Sequence, residues 1–177
     1  MSNLDTEKAA TELFSALKGQ YCLDPLTKRF PSISIEEAYD ISLKLLDKRL
    51  EKGEYIIGKK IGVTSKAVQE MLGVHQPDFG FLTSSMHIPN KSTVSIEETL
   101  IQPRAEGEIA FILSKDLQGP GVTAEDVLQS TESIFPCFEI VDSRIANWKI
   151  SIQDTIADNA SCGVFVLGEE GKNPLDI

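Results

Sequence analysis

The sequence predicts an α+β protein, with a helical N-terminal arm over residues 1–53 followed by a mixed, mostly β body over residues 54–177. Two observations carry that reading. Apolar residues recur at helical spacing up to Gly53, and from Tyr55 onward the chain turns to short β-branched and aromatic runs punctuated by Gly and Pro.

Taken in order, the first helix is expected from about Asp5 to Lys18. Ala9, Ala10, Leu13, Phe14 and Leu17 form its apolar face, and Gly19 is a stop signal. A connector with Asp24-Pro25 and Pro31 follows. Ser34-Ile-Glu-Glu37 is a capping box that opens a second helix running to about Lys52, with Ala38, Tyr39, Leu45, Leu46 and Leu50 inward and Gly53 beyond its end. Tyr55 to Val63 is the first expected strand. Thr64 or Ser65 can cap a short helix from Lys66 to Leu72, ended by Gly73. His75 to Gly80 is expected as a loop and Thr93 to Ile96 as a short strand. A Gly119-Pro-Gly121 turn and Thr123-Ala-Glu-Asp126 start another helix, and Ser161 to Gly168 is the last strand.

Arg104-Ala-Glu106-Gly-Glu108-Ile-Ala-Phe-Ile-Leu113 is the most informative of the strands. Alternation puts Glu106, Glu108, Ala110 and Ile112 on one face and Ala105, Gly107, Ile109, Phe111 and Leu113 on the other. Both faces are largely apolar, which predicts burial on both sides. Two carboxylates roughly 7 Å apart there repel by about 2 kcal/mol at an effective dielectric near 20, and each loses hydration. A hard divalent cation removes both costs. The same pattern also fits an edge strand with two solvated glutamates.

Phe135-Pro-Cys-Phe-Glu139-Ile-Val-Asp142 adds a third acid. Glu139 shares a face with Phe135, Cys137 and Val141, whereas Asp142 falls on the other face near the strand end, as a solvated or turn residue would. Three glutamates on apolar strand faces make an oxygen-only site suited to Mg2+ or Mn2+. No Cys/His cluster has zinc spacing, and His75 and His87 read as non-ligands.

The bulk properties exclude several function classes. A chain of 177 residues supports a sizeable core. A formal net charge of −10 argues against sequence-independent nucleic-acid binding, which relies on Lys and Arg. No apolar run approaches a membrane span, and Met1-Ser-Asn-Leu-Asp-Thr-Glu-Lys8 lacks a signal-peptide layout. Cys22, Cys137 and Cys162 are odd in number and widely spaced, as in a cytoplasmic protein with free thiols. Cys162 as a nucleophile is weakly supported, since no histidine lies near it in sequence.

Other groups could carry chemistry. Lys60 has Gly58 and Gly62 on its own face, leaving room for a ligand, while Lys59 points with Ile57 and Ile61 on what reads as the less accessible face. Two lysines in a strand also mark an exposed edge. Asp78, in Gln76-Pro-Asp78-Phe-Gly80, is a functional loop acid or ordinary turn chemistry. Asp158-Asn159-Ala-Ser161 reads as a helix end or turn. Arg104 is an ion-pair partner or an anion contact, and Trp148 reads as packing.

Together the stretches Gly58-Lys-Lys60-Ile-Gly-Val-Thr-Ser-Lys66, Leu72-Gly-Val-His-Gln-Pro-Asp78-Phe-Gly80, Gln102-Pro-Arg104-Ala-Glu106-Gly-Glu108-Ile-Ala-Phe111, Pro136-Cys-Phe-Glu139-Ile-Val-Asp-Ser-Arg144 and Ala157-Asp158-Asn159-Ala-Ser-Cys-Gly163 resemble the fumarylacetoacetate hydrolase superfamily. Within it they resemble the 2-hydroxypenta-2,4-dienoate hydratases (2-oxopent-4-enoate hydratases) of aromatic meta-cleavage catabolism. The likeness runs through nearly the whole chain. The sibling 4-oxalocrotonate (2-oxo-3-hexenedioate) decarboxylases share the three-glutamate site, but Asp78 and the Asp158-Asn-Ala-Ser-Cys-Gly163 stretch favour the hydratase branch.

The resemblance implies a β-roll body in which Glu106, Glu108 and Glu139 hold Mg2+ or Mn2+. The ion would chelate the 2-oxo and carboxylate oxygens of a small anionic 2-hydroxydienoate. Protonation at C5 and addition of water at C4 would give 4-hydroxy-2-oxopentanoate. Lys60 and Asp78 would transfer the proton and orient the water, with Lys60 needing a depressed pKa to act as a neutral base. Arg104, Asp158 and Asn159 would contact substrate. The chain is expected to form a homo-oligomer or a complex with the sibling decarboxylase, and to bind neither nucleic acid nor membrane. Family members continue past Ile177, so the resemblance also implies a roll incomplete at its C-terminus, with unpaired strand edges, exposed apolar faces, and a chain that is aggregation-prone or weakly active.

Overall fold

A computed structural model describes residues 4–176, so Met1, Ser2, Asn3 and Ile177, the extremes of the two expected regions, lie outside it. Helix α1 (Thr6–Gly19) is capped by the Asp5 side chain, which accepts from the Lys8 N–H at 3.0 Å, and it ends on Gln20 in the left-handed region, one residue beyond the expected stop. The connector, whose prolines predict turns, contains one turn of helix, α2 (Leu26–Arg29). Helix α3 (Ile35–Leu50) starts at the Ser34/Glu37 capping box.

Strand β1 (Ile56–Gly62) leads through helix α4 (Lys66–Leu72), capped by Ser65 and ended by left-handed Gly73, into β2 (Asp78–Thr83). Asp78 therefore opens a strand and does not sit in a loop. Gln-Pro-Asp reads locally as a turn, but pairing with β1 recruits the residues after it. The strand expected over Thr93 to Ile96 is absent: residues 93–95 are irregular and lead into one turn of helix, α5 (Ile96–Thr99), whose two first-turn acids suit a helix start. Then come β3 (Arg104–Leu113), α6 (Ala124–Ser130) with its Thr123/Asp126 capping box, β4 (Thr131–Val141), the short α7 (Ile152–Ala157), and β5 (Cys162–Leu167).

The strands form two antiparallel sheets, β1–β2 and β3–β4–β5. The helical arm is not freestanding. Ala9, Ala10 and Leu13 of α1, Leu26 of α2 and Ala38, Ile41 and Leu45 of α3 share one core with Ile145, Ile152, Ile156 and Ala157. Full burial of each large aliphatic stabilises by about 1.5–3 kcal/mol. Asp154 of α7 clamps α2 by accepting from the Thr27 N–H at 3.1 Å and its hydroxyl at 2.7 Å. Among the described residues no helix is long and apolar enough to cross a membrane.

The expectation that β3 is buried on both faces is wrong for this chain. Among the described residues β3 pairs with β4 alone, and nine of its ten residues are exposed. Ile109 is 61 % exposed, and Phe111, Leu113 and the cross-strand Phe138 are also exposed.

Candidate metal centre

Register builds the site. In the β3–β4 ladder Glu106 stands directly opposite Glu139, and Glu108 is opposite Cys137 one pleat further on. Opposed residues of an antiparallel pair share a face, so the alternation along β3 and the pairing across to β4 put all three carboxylates on one side. One oxygen from each lies within 4.8 Å of the others. Glu139 is buried, and Glu106 and Glu108 are exposed at the sheet's open side. Burial, with the charges of Glu139 and Glu106, pushes the Glu108 carboxyl above its usual range.

Lys60 reaches the triad from the other sheet. Its ammonium lies 2.9 Å from Glu139 Oε1 and donates to the Ala160 carbonyl at 3.1 Å. Burial would lower its pKa, but Glu139 outweighs that, and the net displacement is upward. The depressed value that a neutral lysine base requires is thus absent from the metal-free geometry. The face assignment was also inverted: Ile57, Lys59 and Ile61 point to solvent, with Lys59 over the Phe81 ring at 5.7 Å, while Lys60 points inward. Glycines make this possible. Gly80, opposite Lys60, presses on the Asn159 carbonyl, where an added Cβ would come within 2.6 Å of the oxygen. Gly62 leaves the volume that the Asp78 carboxylate fills, and a Cβ there would collide with Asp78 Oδ1.

Asp78 is 3 % exposed, and burial raises its carboxyl pKa against the opposing pull of Lys60. Neither of its carboxylate oxygens has a well-aligned hydrogen-bond partner. Lys60, Asp78 and Glu139 are therefore brought together, with Glu106 and Glu108 at the open side.

Arg104 occupies the triad's face two residues before Glu106, and its guanidinium packs 4.4 Å from the centroid of the Trp148 ring. Asp158 and Asn159 are engaged in the scaffold. Arg144 Nε donates to Asp158 Oδ1 at 2.5 Å, its backbone N–H to Oδ2 at 2.8 Å, and its Nη2 to the Asp158 carbonyl at 2.7 Å. Burial pushes Asp158 up to about 6 against the pull of Arg144. The Asn159 side chain accepts from the Phe81 N–H and donates to its carbonyl. These bonds fix the 158–161 turn whose Ala160 carbonyl holds Lys60.

Asp142, expected as a solvated or turn residue, follows the end of β4 but is not solvated: it is 1 % exposed and accepts from the N–H groups of Ile101 and Gln102, which anchors the approach to β3. Its local sequence is that of a turn; only the fold supplies the donors. Cys162 is buried, and burial with Glu139 pushes its thiol up to about 12, which argues against a nucleophilic thiolate. His87 stacks on Phe165, and neither histidine joins the acidic group. The Ala160 carbonyl was missed because a backbone acceptor leaves no sequence signal.

The residues present fit a hard divalent cation. The donors are all oxygens, three carboxylates face a single ammonium, and Glu139 Oε1 has no well-aligned hydrogen bond despite its burial.

No family model matches the chain. It is 62 % identical over 166 residues to a 2-hydroxypent-2,4-dienoate hydratase of Pseudomonas putida, covering 94 % of this chain and 75 % of that protein. It is 60 % identical over 172 residues to a 2-hydroxyhexa-2,4-dienoate hydratase of Comamonas testosteroni, covering 97 % and 65 %. Among solved structures, the 4-oxalocrotonate decarboxylase from Pseudomonas putida G7 complexed with magnesium and adipate superposes with a TM-score of 0.94 at 28 % identity, over 100 % of this chain and 68 % of that one. The chain thus spans about two thirds to three quarters of the length of these relatives.

Proposed function

Because the chain belongs to the family of 2-hydroxy-2,4-dienoate hydratases, which are hydro-lyases, we propose that it serves the hydration of 2-hydroxypenta-2,4-dienoate to 4-hydroxy-2-oxopentanoate in aromatic meta-cleavage catabolism, in a body of the fumarylacetoacetate hydrolase β-roll type. The observation that carries the proposal is the convergence of Glu106, Glu108 and Glu139 beside Lys60 and Asp78. The three glutamates would hold Mg2+ or Mn2+, which when bound supplies Lewis acidity toward the 2-oxo and carboxylate oxygens of the substrate.

The chain's own groups do the rest. The reaction moves one proton to C5 and adds one water across C4. Lys60 Nζ has two directions committed, to Glu139 and to the Ala160 carbonyl, which leaves its third free to exchange a proton with substrate or water. Asp78 offers two buried oxygens without well-aligned donors, suited to accept from and orient the water. Arg104 would meet the anionic substrate, and Asp158 and Asn159 would act through the turn they hold. In this reading the helical region assigned to residues 1–53 braces, through α1, α2 and α3 against α7, the catalytic region assigned to residues 54–177. Assembly as a homo-oligomer or with the sibling decarboxylase belongs to the same proposal.

Incubation with Mg2+ and 2-hydroxypentadienoate, followed by loss of the diene absorbance and identification of 4-hydroxy-2-oxopentanoate, tests the reading. The structural likeness to the decarboxylase keeps one rival. Release of CO2 from 2-oxo-3-hexenedioate without hydration of the five-carbon acid would favour it.

A further inference from the structure

Beside the triad Arg104 stands on a ring, Trp148, to which the chemistry above gives no part. Arg104 and Glu106 project from the same face of β3 at alternate positions, roughly 7 Å apart. An unrestrained arginine there would fold onto the carboxylates, yet among the described residues no carboxylate lies within ion-pair distance of Arg104. Its guanidinium lies instead on the half-buried Trp148 ring.

The ring is held firmly. Trp148 Nε1 donates to the Gln102 carbonyl at 3.0 Å. The Gln102 side chain accepts from the Asn147 N–H at 2.8 Å and donates to the carbonyls of Ser143 and Ile145 at 2.9 and 2.8 Å. Gln102 is in turn fixed by Asp142. Asn147 and Trp148 take φ values of 59° and 55°, a conformation unfavourable for bulky side chains that the surrounding bonds enforce. The loop after the Glu139 strand is thereby stitched to the residues before the Glu106 strand, and the indole stands under the arginine.

We propose that Trp148 is a positioning residue that keeps the Arg104 guanidinium off the triad and open to the carboxylate end of the substrate. The proposal rests on the reading of the triad as a metal site for a 2-oxo acid. Without the ring, Arg104 would compete with the metal for Glu106 and be lost to the anion; with it, one face holds separate places for a cation and a carboxylate. A guanidinium held over a ring in this way makes no hydrogen bond to it, so its N–H groups stay available to donate two parallel hydrogen bonds to a carboxylate.

Trp148 is the chain's one tryptophan, so its emission reports on this contact directly. The probe is 2-oxopentanoate, the saturated acid, added to Mg2+-loaded protein, with its uncharged N-methylamide as control. Trp148 emission is expected to change and saturate at the calorimetric midpoint for the acid. At saturating Mg2+, Trp148→Phe is expected to bind the acid within about threefold of wild type and Trp148→Leu about tenfold more weakly, with amide binding unchanged in both, while the Leu variant alone needs more Mg2+ to saturate because Arg104 turns onto Glu106. Equal acid binding by the Leu variant, or a loss of amide binding in parallel with the acid, would overturn the proposal. A wild-type chain that binds Mg2+ but not the acid would overturn it alone. One that binds neither would overturn the underlying reading of the triad as well.

Discussion

Lys60 Nζ lies 2.9 Å from Glu139 Oε1, a contact that joins two sheets of the protein and puts a built-in cation against a proposed ligand of an exogenous one. Both partners are nearly buried, so neither charge is easily left alone.

Replacing Lys60 by Met removes a positive charge from the metal's neighbourhood. Mg2+ is expected to bind several-fold more tightly, because ammonium and ion compete for Glu139. Turnover is expected to fall about 10²–10⁴-fold as the proton-transfer group is lost. Calorimetry and single-turnover assays separate the two effects, and lower Mg2+ affinity would make Lys60 a structural support.

The three glutamates are expected to differ in stability while agreeing in metal binding. Glu106→Gln and Glu108→Gln relieve repulsion at exposed positions and should leave the metal-free protein as stable or more so. Glu139→Gln strands Lys60 and should cost about 3 kcal/mol. All three should lose Mg2+ binding. Urea titrations without metal check the first claim, calorimetry the second.

Metal binding is expected to release protons as pH falls toward the carboxylate range, and to begin doing so above the pH of an isolated glutamate. Glu108 has a folded pKa above its unfolded one. Without metal, the stability it contributes is therefore fully present below the unfolded pKa and lost as pH rises through the folded value. Bound Mg2+ demands the ionised form and reverses that preference. Titrations in two buffers of different ionisation enthalpy count the protons; a pH-independent affinity down to pH 5 would contradict this.

The open apolar face of β3 and β4 makes its own expectation. Ile109→Lys, at a residue 61 % exposed and facing away from the triad, should reduce self-association without changing Mg2+ affinity. Light scattering over a concentration series measures it.

Much of the centre was legible because alternation is a local property. Glu106 and Glu108 must share a face wherever the strand lies, and the glycines around Lys60 announce a close approach. What the chain does not spell locally is pairing. The register that sets Glu139 against Glu106 spans more than thirty residues, and the turn at Ala160 that holds Lys60 acts through a carbonyl. Asp142 reads as a solvated or turn acid because its partners are backbone N–H groups some forty residues away. Asp78 reads equally as a functional loop acid or a turn residue because β2 exists only by pairing with β1.

Crystals soaked in Mn2+ and measured at its absorption edge test the shared ion most directly. The expected map has one anomalous peak bonded to carboxylate oxygens of Glu106, Glu108 and Glu139 together, at about 2.1–2.2 Å. No peak at the triad, or one bound by the two exposed glutamates with Glu139 still paired only to Lys60, would contradict the account.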